Sequence, residues 1–159
     1  MQKISPFLWF DTQAEEAANF YVSLFKNSKI LGVNRYDAAS AKASGKTEGS
    51  AMVVSFELEG QRFTALNGGP QFTFGEAVSF SVSCEDQEEI DKFWNALTTN
   101  GGAESQCGWL KDRFGLSWQI VPAKLSELLG GGGDPAKAQR AMVAMLGMKK
   151  LIIKDLENA

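Results

Sequence analysis

Apolar positions along this chain fall into two successive series, each opening with a short apolar run that passes into a helical stripe. Ile4-Ser5-Pro6-Phe7-Leu8-Trp9-Phe10 stops at Asp11-Thr12, the pattern of a buried strand that leads into a helix cap. Thr12 with Glu15 predicts a capping box. Ala14, Ala17, Ala18, Tyr21, Leu24 and Phe25 then recur at helical spacing, predicting a helix of about 14 residues that lays one face on a sheet and ends at Asn27-Ser28. Strands are expected over 29–35, 51–59 and 61–66, the last two joined tightly around Gly60. Within 51–59, Met52, Val54, Phe56 and Leu58 alternate with Val53, Ser55, Glu57 and Glu59, which marks a strand with one buried face. Residues 37–50 are rich in Ala, Ser, Gly and Lys and lack periodicity, so they predict a mobile loop, either a solvated insertion or a lid.

Residues 78–121 repeat the order. Val78 to Cys84 reads as a strand, Asp86 with Glu89 as a cap, and Ile90, Phe93, Trp94 and Leu97 as a helical stripe. Glu104 to Leu110 and Leu116 to Val121 read as strands. Laying Ala14 to Tyr21 on Gln87 to Trp94 matches both glutamates and the phenylalanine and pairs Tyr21 with Trp94. Shared residues at equivalent points of one repeated element order argue internal duplication. The fold class is therefore α+β: two βαβββ modules over 3–70 and 71–125, within one domain of 1–159. A C-terminal helical segment, 126–159, follows. In it Gly130 to Gly133 form a flexible joint, Asp134-Pro135 open the last helix, and Met142, Met145 and Leu146 make an apolar stripe suited to the core or to a dimer contact.

Composition narrows the partners. The 159 residues, 44% hydrophobic, suffice for one core that buries roughly two-thirds of the unfolded surface. A net charge of −3, with Lys and Arg scattered, offers no field for nucleic acid or a membrane surface. No leader-like or membrane-spanning run occurs, so a cytoplasmic location is expected. Cys84 and Cys107 are read as free thiols, and without any histidine neither has the base a thiol nucleophile needs.

Several motifs together carry a family resemblance: Pro6-Phe7-Leu8-Trp9-Phe10-Asp11, Ala14 to Tyr21, Leu66-Asn67-Gly68-Gly69-Pro70, Cys84-Glu85-Asp86-Gln87, Cys107 to Asp112, and Gly115 to Pro122. The chain resembles, over about residues 3–150, the PhnB-like, or 3-demethylubiquinone-9 3-methyltransferase-like, family of the glyoxalase/bleomycin-resistance/dioxygenase (vicinal oxygen chelate) superfamily. The resemblance implies that each module curls into a half-open mixed β-sheet barrel. It also implies a divalent metal held by His or Gln from the first strand of a module and Glu from its last. The matching positions here are Pro6, Ser79, Thr64 and Gln119, of which only Gln119 could contribute, so neither a metal nor another cofactor is expected. The family's methyltransferase label meets a second difficulty, because no Gly-rich turn follows the first strand.

Strand alternation names the walls of a cavity. Ser79 and Ser81 share one face of their strand, Ser117, Gln119 and Val121 share one face of theirs, and Trp109 and Lys111 lie toward the side of Cys107. Aromatic walls with hydroxyls, an amide and one cation suit a small-molecule pocket, to which Asn67 could add a contact from its turn. The alternative is that the aromatics simply fill the core, which fits Trp9, Trp94 and Trp118 best. Lys111-Asp112-Arg113 reads as a solvated hairpin turn. The expected function is metal-independent binding of a small, partly apolar molecule by a homodimer. An enzyme, either metal-assisted or methyl-transferring, is the alternative, and a duplicate with a filled cavity is a third.

Overall fold

In both halves of the chain the first strand pairs parallel with the last, and the helix after the first strand crosses one face of the sheet to reach the strand at the far edge. The computed structural model describes residues 2–159, in a first unit that ends at Thr73 and a second, Phe74–Ala159. The first runs β1 (Phe7–Phe10), α1 (Ala14–Leu24), β2 (Lys29–Arg35), α2 (Ala38–Ser44), β3 (Ala51–Leu58) and β4 (Gln61–Asn67). Its sheet order is β1-β4-β3-β2. The second runs β5 (Ser79–Cys84), α3 (Gln87–Thr98), β6 (Ala103–Glu104), β7 (Trp109–Lys111) and β8 (Ser117–Pro122), in the order β5-β8-β7-β6. Each sheet holds one parallel pair among antiparallel neighbours. The result is two mixed four-stranded sheets, not closed barrels. Ala14 and Gln87, superposed by the sequence match, are the first residues of their helices, and Tyr21 and Trp94 are both buried.

The apolar stripes pack as their spacing predicts. Ala14, Ala17, Ala18 and Tyr21 are buried on α1, and small side chains there let the helix approach the sheet closely. Tyr21 meets Phe56 at 6.3 Å between ring centroids, and Phe56 stacks on its cross-strand partner Phe63 at 5.3 Å. On α3 the buried residues are Ile90, Phe93, Trp94 and Leu97. The β3–β4 hairpin turns through Glu59 and Gly60, both with positive φ, as a two-residue connection requires.

The two helix starts differ. Asp86 caps α3 as expected, its carboxylate accepting from Glu89 N–H at 2.9 Å, while Glu89 accepts from Glu85 N–H at 2.7 Å. The Thr12–Glu15 box does not form. Gln13 occupies the cap position of α1 but its side chain caps no N–H of the helix; Asn67 accepts from Ala14 N–H at 2.8 Å instead. The reason is topological: parallel pairing puts Asn67 beside Phe10, at the point where the chain leaves β1 for the helix. Asn67 also donates to Ala51 O at 3.0 Å.

Other expectations are corrected. Residues 37–50 are not a structureless loop, because Asp37 and Ser40 form a reciprocal capping box for α2 and Gly45, at φ +70°, closes it. The strand expected over 104–110 is two short ones, parted by a turn in which Cys107 and Gly108 are both left-handed. A Cβ on Gly108 would lie 2.9 Å from Ile120 O, so only glycine fits. In the C-terminal part Asp134 caps α5 (Pro135–Leu146) through Ala136 N–H. Met142 and Leu146 are exposed there, and the buried residue of the helix is Ala141. Two short helices lacked a periodic signal, α4 (Leu125–Gly130) and α6 (Ile153–Glu157). Gln87 ties α6 to the fold, donating to Leu151 O and accepting from Ile153 N–H.

Replacing Asn67 with Ala strips α1 of its cap and leaves Ala51 O unpaired, at a cost of about 2 kcal/mol. The expected fall in melting temperature is roughly 4–8 °C, with Asn67→Asp intermediate because it keeps the accepting oxygen. A fall of less than about 1 °C for the alanine variant would show that the cap is dispensable.

Candidate functional site

With α3 packed on one face of the β5-β8-β7-β6 sheet, the polar residues of its strands collect on the other. The register places Ser79, Ser117 and Lys111 on one rung and Ser81, Gln119 and Trp109 on the next. Phe80, Trp118 and Leu110 alternate with them on the helix side, where Trp118 and Leu110 are buried. Five of the residues expected from the sequence, Ser79, Ser81, Trp109, Lys111 and Gln119, thus share two adjacent rungs of one sheet face. Gln119 donates to Ser79 Oγ at 3.0 Å, so these two hold each other.

A pocket of about 210 Å³ opens at this face, lined by Trp109, Lys111, Ser117, Ser105, Glu76 and Glu104 together with Ala103 and Leu110. Lys111 forms an ion pair with Glu76, in the turn before β5. That pair holds the Glu76 carboxyl below its usual range, chiefly through the hydrogen bond from Lys111. Ser117 is 1% exposed and its hydroxyl has no hydrogen-bond partner. Glu104 is engaged elsewhere, accepting from Trp94 Nε1 at 2.8 Å and standing 4.0 Å from Lys149 Nζ.

The hairpin behind the pocket is organised by Asp112, which is buried and not the solvated turn residue expected. Its carboxylate accepts from Phe114 N–H, Leu116 N–H and Trp118 Nε1 at 2.9–3.1 Å. The sequence carried no sign of Glu76 as a lining residue, since its place depends on how the turn before β5 settles. Ser117 was legible as a member of the right face but not as a buried hydroxyl.

Of those five expected residues only Trp109 and Lys111 line this pocket; Ser79, Ser81 and Gln119 share the sheet face without lining it, and Cys107 and Asn67 lie elsewhere. Cys107 sits in the turn before β7, where its N–H donates to Met148 O. Asn67 belongs to the first unit and lines another pocket, of about 400 Å³, with Tyr36, Arg35 and Glu15. Its side chain is committed to Ala14 and Ala51, and Arg35 pairs with Glu15 at 2.7 Å. Lys46 and Thr47, from the segment read as a lid or insertion, also line that pocket.

The metal chemistry of the superfamily does not fit these residues. Pro6 offers only its carbonyl, which accepts from Thr64 N–H at 3.0 Å, and Ser79 and Gln119 present a hydroxyl and an amide bonded to each other. Among the described residues no group of three His, Cys, Asp or Glu side chains comes together. A nucleoside cofactor of the doubly wound methyltransferase kind fits no better. β1 leads to Asp11-Thr12-Gln13 with no glycine turn, and neither sheet is a run of parallel strands.

Repeated βαβββ order with a helix over one face of each mixed sheet defines an α+β protein built from two such modules. The chain belongs to the family described as 3-demethylubiquinone-9 3-methyltransferase, which it matches over residues 2–121. A PhnB protein from Bacillus cereus is 39% identical, over 77% of this chain and 100% of its own, with a TM-score of 0.69. A protein from Pseudomonas aeruginosa shares the fold at 18% identity, over 77% of this chain and 98% of its own, with a TM-score of 0.60. No curated protein matches the chain. Among the described residues no helix is long and apolar enough to cross a membrane.

Both cysteines are free; Cys84 is buried and Cys107 is partly exposed. Burial, aided by Glu89, Asp86 and Glu85, pushes the Cys84 thiol up to about 12. Iodoacetamide at pH 8 is expected to label Cys107 alone in the native protein and both thiols in denaturant, read by intact mass. Since the folded state holds the Cys84 proton more tightly, its contribution to stability is complete below about pH 9 and is lost as the pH rises toward 12.

Proposed function

We propose that this protein binds a small, partly apolar molecule without a metal, on the open face of the β5-β8-β7-β6 sheet. The observation that carries the reading is the pocket in which Trp109 supplies an aromatic wall while Lys111 and the unpartnered Ser117 hydroxyl supply polar contacts. At about 210 Å³ it is smaller than the ~300 Å³ at which drug-sized sites begin, which favours a compact ligand. The donor set at Pro6, Thr64, Ser79 and Gln119 argues against a metal-assisted reaction, and the sheet topology argues against methyl transfer. Two free thiols agree with a cytoplasmic setting. We further read the protein as a homodimer, with Met142, Val143 and Leu146 on α5 among the apolar surface that pairing could cover.

Saturation-transfer NMR with small aromatic fragments is expected to find binders whose affinity falls about tenfold or more in Trp109→Ala, a loss of ~1.4 kcal/mol or greater. Dialysis against EDTA should leave that affinity unchanged. More than about half an equivalent of zinc, nickel or iron in the purified protein would overturn the metal-independent reading.

A further inference from the structure

We infer that the ligand of this pocket carries a carboxylate, and that Glu76 holds the place of that carboxylate until the ligand displaces it. The inference rests on the small-molecule reading above and names the chemical class. Three features of the pocket lead to it. The Lys111–Glu76 pair is unequally built: Lys111 is fixed by β7, where it pairs with Ser117 of β8 and Ala103 of β6, whereas Glu76 stands in the turn before β5 with its side chain 64% exposed. Exposed ion pairs are weak and are easily exchanged for another partner of the same charge. The Ser117 hydroxyl, cross-strand neighbour of Lys111, is buried with no partner, a condition that costs stability until something bonds to it. A ligand oxygen set between Lys111 Nζ and Ser117 Oγ would satisfy both.

The other charges point the same way. Glu104, the second acid on the wall, accepts from Trp94 Nε1 and stands 4.0 Å from Lys149 Nζ, which offsets its charge, so Glu76 is the carboxylate that an entering anion must replace at Lys111. A single ammonium and a single hydroxyl suit a monoanion better than a phosphate, which calls for an Arg fork or several backbone donors. Trp109, on the adjacent rung, provides a surface for the apolar remainder. Glu76 is therefore a competing internal anion, and ligand and Glu76 exchange over one Lys111.

Benzoate, benzamide and benzylamine present one ring with charge −1, 0 and +1, and they separate the possibilities by NMR titration of the full chain. Benzoate is expected to shift the Trp109 indole, Lys111 and Ser117 resonances, at least about tenfold more tightly than either of the others. Glu76→Gln is expected to tighten benzoate several-fold, and Lys111→Met to weaken it about tenfold or more, each with the melting temperature of the parent. Ser117→Ala should weaken benzoate while melting at or above the parent temperature, because it removes a buried hydroxyl that has no partner. Equal binding of benzamide at these residues, or preference for benzylamine, would overturn the carboxylate assignment and leave the small-molecule reading intact. Benzoate binding that ignores Lys111→Met, or a lowered melting temperature in Ser117→Ala, would likewise overturn the assignment. If no ring compound shifts any resonance of this face, the assignment and the small-molecule reading fail together.

Discussion

Parallel pairing of the first and last strands in each half is the constraint from which the rest follows. The slot beside the first strand is kept for the last, so the helix that leaves the first strand must lead to the far edge of the sheet, to β2 or β6, and in doing so it covers one face. The same pairing puts the last strand inside the sheet rather than at its edge. In the second unit β8 lies between β5 and β7, so Ser117 and Gln119 have serines on one side and Lys111 and Trp109 on the other. Residues remote in sequence are brought to two rungs by the register alone.

On that face the protein departs from the rule that buried polar groups are satisfied. Asp112, three bonds deep in its hairpin, shows the usual solution, with each carboxylate oxygen occupied. Ser117, on the strand that follows, has the opposite condition. Polar groups left waiting in otherwise well-bonded surroundings are where stability is exchanged for recognition. Lys111, whose counter-ion is held only by an exposed turn, is the second such group.

The two halves share a plan but solve the start of the crossover helix differently. α3 is capped from within its own segment by Asp86, whereas α1 depends on Asn67 of β4. The residue that pairs with the end of β5, as Asn67 pairs with the end of β1, is Pro122, which has no side-chain oxygen for the task. Duplicated architecture thus keeps the topology while the bonds that secure it are redistributed.

Hydrophobic periodicity by itself determined the duplication, the alternation within the strands, the buried faces of α1 and α3 and the face to which Ser79, Ser81, Trp109, Lys111 and Gln119 belong. These are local properties, because side-chain direction repeats every two residues in a strand and about every 3.6 in a helix. The absence of histidine and the poor donors at Pro6, Thr64, Ser79 and Gln119 were equally plain in the residues themselves. What only the tertiary structure decided were the partners: Asn67 for the start of α1, Glu76 for Lys111, Asp112 for Trp118, and none for Ser117. A hydrogen bond depends on distance and direction between segments that may be ten or fifty residues apart, and neither composition nor periodicity records that separation. The helix in 37–50 carries no apolar stripe for a periodicity to show, since a pair of caps defines it.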